Sequence, residues 1–337
     1  MSHPVSLLLT LAILATALPA DASPLFEDDS VLHITLSGPL GTVMKDKKSR
    51  EELDFILGAD GVEHQVEVRL RGKSRVRVCR FPGLRINFPK DKVAGTVFAG
   101  QNKLKLATHC ADKKSARGNV LEEYAAYRIF NLISDIGYRV RLVEITYTDT
   151  DERPGENTIT RYGYFIESSA ELADRQGGEI VELPSVRRGD FNSEHAALVF
   201  VFQYLIGNTD WSLVANVEDE FCCHNGDLFD IGEDRYVVPY DFDLSGLVDA
   251  WYAKPDRSLG IRSVTKRLYR GYCIAPGAVE AAIRDIKALE NDILDVTRHV
   301  PGLTDKGIEE ALGFLEDFFK ETDDVEKLAR SFERRCL

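Results

Sequence analysis

The segment Gly207-Asn208-Thr209-Asp210-Trp211 precedes His224-Asn225 and the run Val237-Val238-Pro239-Tyr240-Asp241-Phe242-Asp243. An apolar helix, predicted from Ser193 to Ile206, leads into the first stretch, and an apolar strand leads into the carboxylates of the third. Phosphoryl transfer from a nucleotide requires one carboxylate to orient the attacking hydroxyl, and further carboxylates with an amide to hold Mg²⁺ on the phosphates. The residue types and their order predict a site for that chemistry.

Three further stretches accompany this arrangement: Arg71-Gly72-Lys73-Ser74, Gly100-Gln101-Asn102-Lys103-Leu104-Lys105-Leu106 and Leu121-Glu122-Glu123-Tyr124. With them, the chain from about Val66 to about Asp249 resembles the spore-coat CotH kinase-like family of atypical secretory protein kinases. The resemblance implies an α+β, protein-kinase-like fold with a β-rich N-lobe, a mainly helical C-lobe and a site in the cleft between them. It also implies ATP and Mg²⁺ as cofactors and a protein as a possible substrate.

The polar residues of the opening segments are the candidates for catalysis and metal binding. We expect Asp210 to be the catalytic base, which accepts the hydroxyl proton or orients the acceptor. Asn225 is the expected amide ligand of Mg²⁺, with Asn216 as the second choice. Asp241 is the expected metal ligand and Asp243 a second ligand or its support, because Mg²⁺ prefers oxygen ligands. The alternative for Asp210 and both asparagines is an ordinary turn or capping residue.

A cation on a strand of the N-lobe is expected to bind the ATP phosphates. Lys103 and Lys105 share a face if residues 102–107 form a strand, and Arg85 is the alternative. A glutamate of the following helix is expected to pair with that cation. For each of these charges the alternative is a solvated position. The candidate nucleotide-binding residues are Lys103, Lys105, Arg85, Glu122, Glu123 and Gly72.

A run of basic residues alternates with apolar ones before these candidates. The basic residues are Arg69, Arg71, Lys73, Arg75, Arg77 and Arg80. Alternation with valine and leucine predicts a hairpin whose charges lie on a solvated face. The alternative is an edge that faces phosphate groups.

Charge and the N-terminal composition bound the environment of the protein. Lys and Arg total 42 against 55 Asp and Glu, a formal charge of −13, which argues against a nucleic-acid partner. The apolar run from Val5 to Leu18 is too short to span a bilayer comfortably and precedes Ala20-Asp21-Ala22, which predicts a signal peptide over 1–22. We therefore expect a secreted or periplasmic protein with no membrane span after cleavage, an N-lobe over 23–168 and a C-lobe over 169–337.

Six cysteines fit an oxidising compartment. Cys79 and Cys110 are the first pair expected, since both lie at the ends of neighbouring predicted strands. Metal binding by Cys222-Cys223-His224 is disfavoured, because consecutive residues do not easily converge on one tetrahedral ion.

The predicted secondary structure runs from strands to helices. Period-two alternation predicts strands at 31–36, 66–70, 76–78 and 84–88 in a twisted antiparallel sheet, and a strand pair at 140–147 and 162–167. Helical spacing predicts a helix over 122–136 and a helical tail from 278, with a break at Pro301-Gly302 and a new start near Thr304.

Three functions follow from these observations. The first is an exported kinase that transfers phosphate from ATP to a protein Ser/Thr or another hydroxyl acceptor. The second is a kinase-fold binding or scaffold protein without catalysis, which the reduction of the glycine loop to Gly72 favours. The third is a phosphatase with Asp241 as nucleophile and Asp243 as acid/base, which would require further parallel strands downstream.

Overall fold

A computed structural model of the chain describes residues 24–89, 92–153, 157–214 and 221–337. The predicted signal peptide and Asn216 lie outside the described residues. The strands in the described residues are β1 Leu32–Gly38, β2 Leu53–Ala59, β3 Val62–Leu70, β4 Leu84–Asn87, β5 Lys103–Ala107, β6 Val140–Asp149, β7 Thr158–Ile166, β8 Glu179–Val181, β9 Gly226–Ile231 and β10 Asp234–Pro239. The α-helices there are α1 Leu40–Lys45, α2 Ser74–Val78, α3 Lys114–Ile133, α4 Ser169–Gln176, α5 Ser193–Leu205, α6 Ala278–Ala288, α7 Glu290–Arg298, α8 Asp305–Glu321 and α9 Val325–Glu333.

The first seven strands close into a barrel in the order β1-β2-β3-β4-β5-β7-β6. Neighbouring strands pair antiparallel, except that β1 and β6 pair parallel and close the barrel. Along β3, Val66, Val68 and Leu70 point into the barrel, whereas Glu67 and Arg69 point outward, as a period of two requires. Apolar side chains from all sides fill the interior, among them Leu36, Leu57, Val68, Ile86, Leu106 and Phe165, each fully buried.

A second core joins α3 to the C-terminal half of the chain. Tyr127 and Phe130 of α3 pack against Phe242 and Phe202, respectively. Helix α5 packs between α6 and β10, and β10 forms a three-stranded antiparallel sheet with β9 and β8. Helix α3 therefore lies between the barrel and the C-terminal half, in contact with both.

The predicted α+β class, with a β-rich N-terminal part and a mainly helical C-terminal part, is confirmed by this architecture. The boundary expected near residue 168 falls between β7 and α4, where Ser168 forms a capping box with Glu171. The helix expected over Ser193 to Ile206 is α5, and Thr304 caps α8 at the expected start. No helix in the described parts of the chain is long and apolar enough to cross a membrane.

The strand predicted at 76–78 is wrong, because Ser74–Val78 forms helix α2. Gly72, with φ +99°, turns the chain out of β3 in a conformation that favours glycine. Val76 is then buried, whereas Val78 stays 41% exposed, so the residues do not alternate across a sheet. The helix expected to begin at Glu122 begins instead at Lys114.

Three disulfides lie in the described parts of the chain. Cys79 pairs with Cys110, as expected, and links the end of α2 to the segment before α3. Cys222 pairs with its neighbour Cys223, and Cys273 with Cys336.

Candidate active site

A cleft of about 340 Å³ lies between the outer face of the barrel and the C-terminal half. The turn after β3, the strand β5 and the helix α3 line one side of it, and β9 and the end of β10 line the other. Its polar lining consists of Arg71, Lys73, Ser74, Arg75, Lys105, Glu123, Tyr127, Tyr138, Tyr164, Ser169, Asp227, Tyr240 and Asp241.

Three carboxylates meet at one end of this cleft. Glu123 comes from α3, and Asp241 and Asp243 follow β10; one oxygen of each lies within 4.8 Å of the others. Glu123 and Asp243 are 1% and 4% exposed. Asp241 has φ +61°, a conformation that Asp adopts more readily than most residues, and its backbone N–H donates to Tyr127 Oη at 3.0 Å. The backbone therefore turns sharply where the buried strand ends, next to α3.

Arg75 of α2 supplies a cation to this cluster. Its Nη2 donates to Glu123 Oε2, and its Nε donates to Asp243 Oδ2 at 2.9 Å. Burial opposes the charge of the guanidinium, but Glu123 and Asp243 raise the pKa of Arg75 well above its usual value. Burial, with the neighbouring charge of Asp243, raises the pKa of Asp241 to about 7. The site thus combines excess negative charge with a low-dielectric setting.

Lys105 and Arg71 line the same cleft as the carboxylates of Glu123 and Asp241. Lys105 of β5 lies with its Nζ 5.5 Å from the ring centre of Tyr138, and burial, with the charge of Arg71, lowers the pKa of its ammonium group. Tyr138 in turn donates its hydroxyl hydrogen bond to Asp227 of β9. A buried ammonium group close to a second cation is suited to an anionic ligand.

The other predicted nucleotide-binding residues occupy different positions. Arg85 lies opposite Lys105 in the β4–β5 pairing. Lys103 lies opposite Asn87, two residues further along the same pair of strands, and is exposed. Gly72 lies in the cleft lining. Glu122 faces away from Glu123, into a separate cleft where it accepts a hydrogen bond from Asn119 at 3.0 Å. Burial raises the pKa of Glu122 to about 7.

Asp210 lies in the loop after α5, bonded to both residues of the His224-Asn225 pair. His224 Nε2 lies 3.2 Å from Asp210 Oδ1, and Asn225 Nδ2 donates to Asp210 Oδ2 at 3.0 Å. Asn225 also accepts, through its backbone oxygen, the N–H of Tyr240 at 3.2 Å. The loop that holds Asp210 is therefore connected through Asn225 to Tyr240, the residue before Asp241.

Arg270 fixes the same loop from the C-terminal side. Its Nη1 donates to the backbone oxygens of Thr209 and Trp211, the latter at 2.8 Å. Trp211 Nε1 donates to Asn208 O at 3.2 Å, and its ring stacks on Phe200. The backbone on both sides of Asp210 is thus held by buried contacts, while the carboxylate itself is 38% exposed.

Five of the predicted site residues therefore fall into two connected groups. Glu123, Asp241 and Asp243 form one, and Asp210 with Asn225 forms the other. Arg75 is the residue that the sequence prediction placed wrongly: as a strand, Ser74–Val78 would point Arg75 and Arg77 to one solvated face. In a helix the two side chains point in nearly opposite directions, and only Arg75 enters the site. Asp227, which is half-buried and accepts the hydrogen bond of Tyr138, gave no signal in the sequence.

Comparison with solved structures finds a similarity to the crystal structure of a Helicobacter pylori proinflammatory kinase, CtkA. The TM-score is 0.42 and the sequence identity 12%, over 77% of this chain and 94% of that chain. No family model matches the chain, and no curated protein sequence matches it. A structural likeness of this size assigns no residue a role.

Proposed function

We propose that the protein is a metal-dependent phosphotransferase that transfers phosphate from ATP to a hydroxyl group, with a protein Ser/Thr as the expected acceptor. The observation that carries the proposal is the group of Glu123, Asp241 and Asp243 at one end of a cleft that Lys105 and Arg71 also line. A metal–polyphosphate ligand requires acidic groups for the metal and basic groups for the phosphates.

The carboxylate group fits a divalent cation. Its donors are all oxygens, which Mg²⁺ prefers, and a positive charge already lies among them in the guanidinium of Arg75. In this proposal Asp241 and Asp243 hold the metal, and Glu123 completes the group. Asn225 was expected as an amide ligand of Mg²⁺. Its Nδ2 donates to Asp210, which leaves Oδ1, the atom through which an amide binds a metal, for that role.

The residues of the chain divide the remaining work. Mg²⁺, when bound, would neutralise charge that develops on the transferred phosphoryl group. Lys105 and Arg71 bind phosphate oxygens, and Gly72 lets the backbone come close to them because it has no Cβ. Asp210 orients the acceptor hydroxyl and takes its proton as the new O–P bond forms and the bond to the leaving ADP breaks.

The arrangement around Asp241 does not favour the aspartyl-nucleophile hypothesis. That hypothesis requires a parallel sheet that continues downstream, whereas β10 belongs to an antiparallel sheet with β9 and β8. Residues 241–337 are all described and form helices and turns with no strand.

We also propose that the protein acts outside the cytoplasm. The three disulfides in the described residues support this proposal, because such bonds persist mainly in oxidising compartments.

Thermal unfolding of the disulfide-bonded protein with ATP, with and without Mg²⁺, tests the nucleotide site. A ligand that binds only the folded state raises the midpoint, so we expect a Mg²⁺-dependent rise that Asp241→Ala removes. Asp285→Ala, an exposed carboxylate on α6, is the matched control and should keep the rise. No rise at millimolar nucleotide would reject the proposal in favour of the non-catalytic scaffold.

A further inference from the structure

The guanidinium of Arg75 occupies the place among the carboxylates that a metal ion would take. It bonds Glu123 and Asp243 at once, and its side chain is only 15% exposed. The same Asp243 oxygen also accepts the hydroxyl of Tyr252 at 2.8 Å. The structure thus shows this group of carboxylates with a cation of its own chain inside it.

A metal ion and this guanidinium cannot easily share the group. Mg²⁺ lies about 2.1 Å from its oxygen ligands. Because Arg75 Nε lies 2.9 Å from Asp243 Oδ2, a metal on that oxygen would stand within about 5 Å of the guanidinium. Two positive charges about 5 Å apart in a buried site repel each other strongly. Full metal binding therefore requires Arg75 to release Asp243.

Arg75 also borders the cleft in which the phosphate donor is proposed to bind. It lies in the lining of the cleft, on the same side as Arg71 and Lys73, where the phosphates of the donor are proposed to bind. Its helix, α2, has five residues and lies between Gly72, which has φ +99°, and the disulfide at Cys79. To reach such phosphates, the guanidinium would have to leave the carboxylates by a change of side-chain rotamer.

We propose that Arg75 is a resident counter-ion that competes with the divalent cation for Asp243 and Glu123. Without nucleotide, the guanidinium neutralises part of the group and keeps the affinity for metal low. When metal binds, Arg75 leaves Asp243 and turns to the phosphate donor. The proposal rests on the proposed function, since it concerns the regulation of that same site.

Titration of Mn²⁺ alone, followed by the electron paramagnetic resonance signal of the free ion, tests the competition without any measurement of activity. Arg75→Gln removes the competing charge, so we expect Mn²⁺ to bind at least about tenfold more tightly. A change of this size is typical of the coupling free energy between two interacting ligands. Arg75→Lys keeps the charge but cannot fork between two carboxylates, so its affinity should lie in between. Arg77→Gln, exposed on the same helix, makes the same charge change and should bind as the unmodified protein does.

A second measurement uses the unmodified protein, in case Arg75→Gln does not fold. The Nε–H of Arg75, assigned by its loss in Arg75→Lys, should be protected from exchange without metal and lose that protection on saturation with Mg²⁺. Equal Mn²⁺ affinities for Arg75→Gln and the unmodified protein, or an Nε–H that stays protected, would overturn the proposal. If Arg75→Gln binds Mn²⁺ more tightly but the protein binds no nucleotide, the competition is supported and the phosphotransferase is rejected. If the protein binds nucleotide but the Arg75 Nε–H stays protected with metal, the competition is rejected and the nucleotide site is supported.

Discussion

Asp210 has its geometry fixed by neighbours and its carboxylate open to an acceptor. His224 and Asn225 each contact one carboxylate oxygen, yet 38% of the side chain is exposed. Asp210→Asn keeps the shape but removes the base, so we expect nucleotide binding to persist while the transfer rate falls by about 10²–10⁴-fold. Single-turnover transfer with bound nucleotide measures this, and a rate close to that of the unmodified protein would exclude Asp210 as the base.

Two lysines that the sequence does not distinguish are separated by the structure. Lys105 lies in the cleft beside Tyr138, whereas Lys103, two residues earlier on β5, is exposed on the row that includes Asn87. We expect Lys105→Met to weaken ATP binding by about tenfold or more, because a charge-assisted contact to phosphate is lost. Lys103→Met should have a much smaller effect, and equilibrium binding of a fluorescent nucleotide compares the two. A larger loss for Lys103→Met would show that the nucleotide binds elsewhere.

At the residue level, the sequence predicts carboxylates better than it predicts their partners. Asp241 and Asp243 were predictable because a charge after an apolar strand must find compensation when buried. Arg75 was not, since its partners Glu123 and Asp243 lie 48 and 168 residues away. Contacts of that separation depend on how helices and strands pack, which local patterns do not report.

At the level of elements, the length of a helix or strand decides whether the sequence predicts it correctly. Helix α5 has a long apolar run and a capping Asn192, and α8 begins at Thr304, so both follow from local signals. Helix α2 has five residues, too few for helical and strand periods to be told apart. The parallel pairing of β1 with β6, which closes the barrel, joins segments more than one hundred residues apart and leaves no local signal.

The Cys79–Cys110 disulfide should hold α2, and with it Arg75, against α3. It joins residues 31 apart in sequence, so its removal should lower the free energy of unfolding by about 2–4 kcal/mol. We expect Cys79→Ser/Cys110→Ser also to speed amide exchange in Ser74–Val78. Cys273→Ser/Cys336→Ser removes a bond at the far end of the chain and should destabilise the protein without changing exchange in α2. Equal exchange in the two double variants would contradict this role.

At the scale of the whole molecule, the two halves share α3 rather than meet at a simple boundary. The barrel interior is one core, but Tyr127 and Phe130 of α3 belong to the other, together with Phe202 and Phe242. Glu123 lies on the same helix, so the position of its carboxylate depends on this second core. A mutation that loosens the second core should therefore weaken metal binding as well as stability.

Two buried histidines each lower the stability of the protein in acid. Burial lowers the pKa of His109 and of His195 to about 4 each. His195 donates its Nε2 hydrogen to the backbone oxygen of Val237 at 2.9 Å and so fastens α5 to β10, the strand that leads to Asp241. The pKa of an unfolded histidine is about 6.5, so the unfolded chain binds more protons than the folded one between about pH 6.5 and 4.

Each histidine therefore contributes up to about 3 kcal/mol to the free energy of unfolding above about pH 6.5, and this contribution is lost as the pH drops toward 4. The raised pKa values of Glu122 and Asp241, about 7 each, act in the opposite direction over the same range, so the contribution of one histidine is measured with a variant. His195→Gln keeps an N–H donor for Val237 but does not titrate. We expect this variant to be less stable at pH 7, and its deficit relative to the unmodified protein to shrink as the pH falls from 6.5 to 4.5. Urea unfolding across that range measures both, with His299→Gln as the exposed control. If the slope of His195→Gln equals that of the unmodified protein, protonation of His195 is not what loosens α5 from β10 in acid, and the loss must come from other groups.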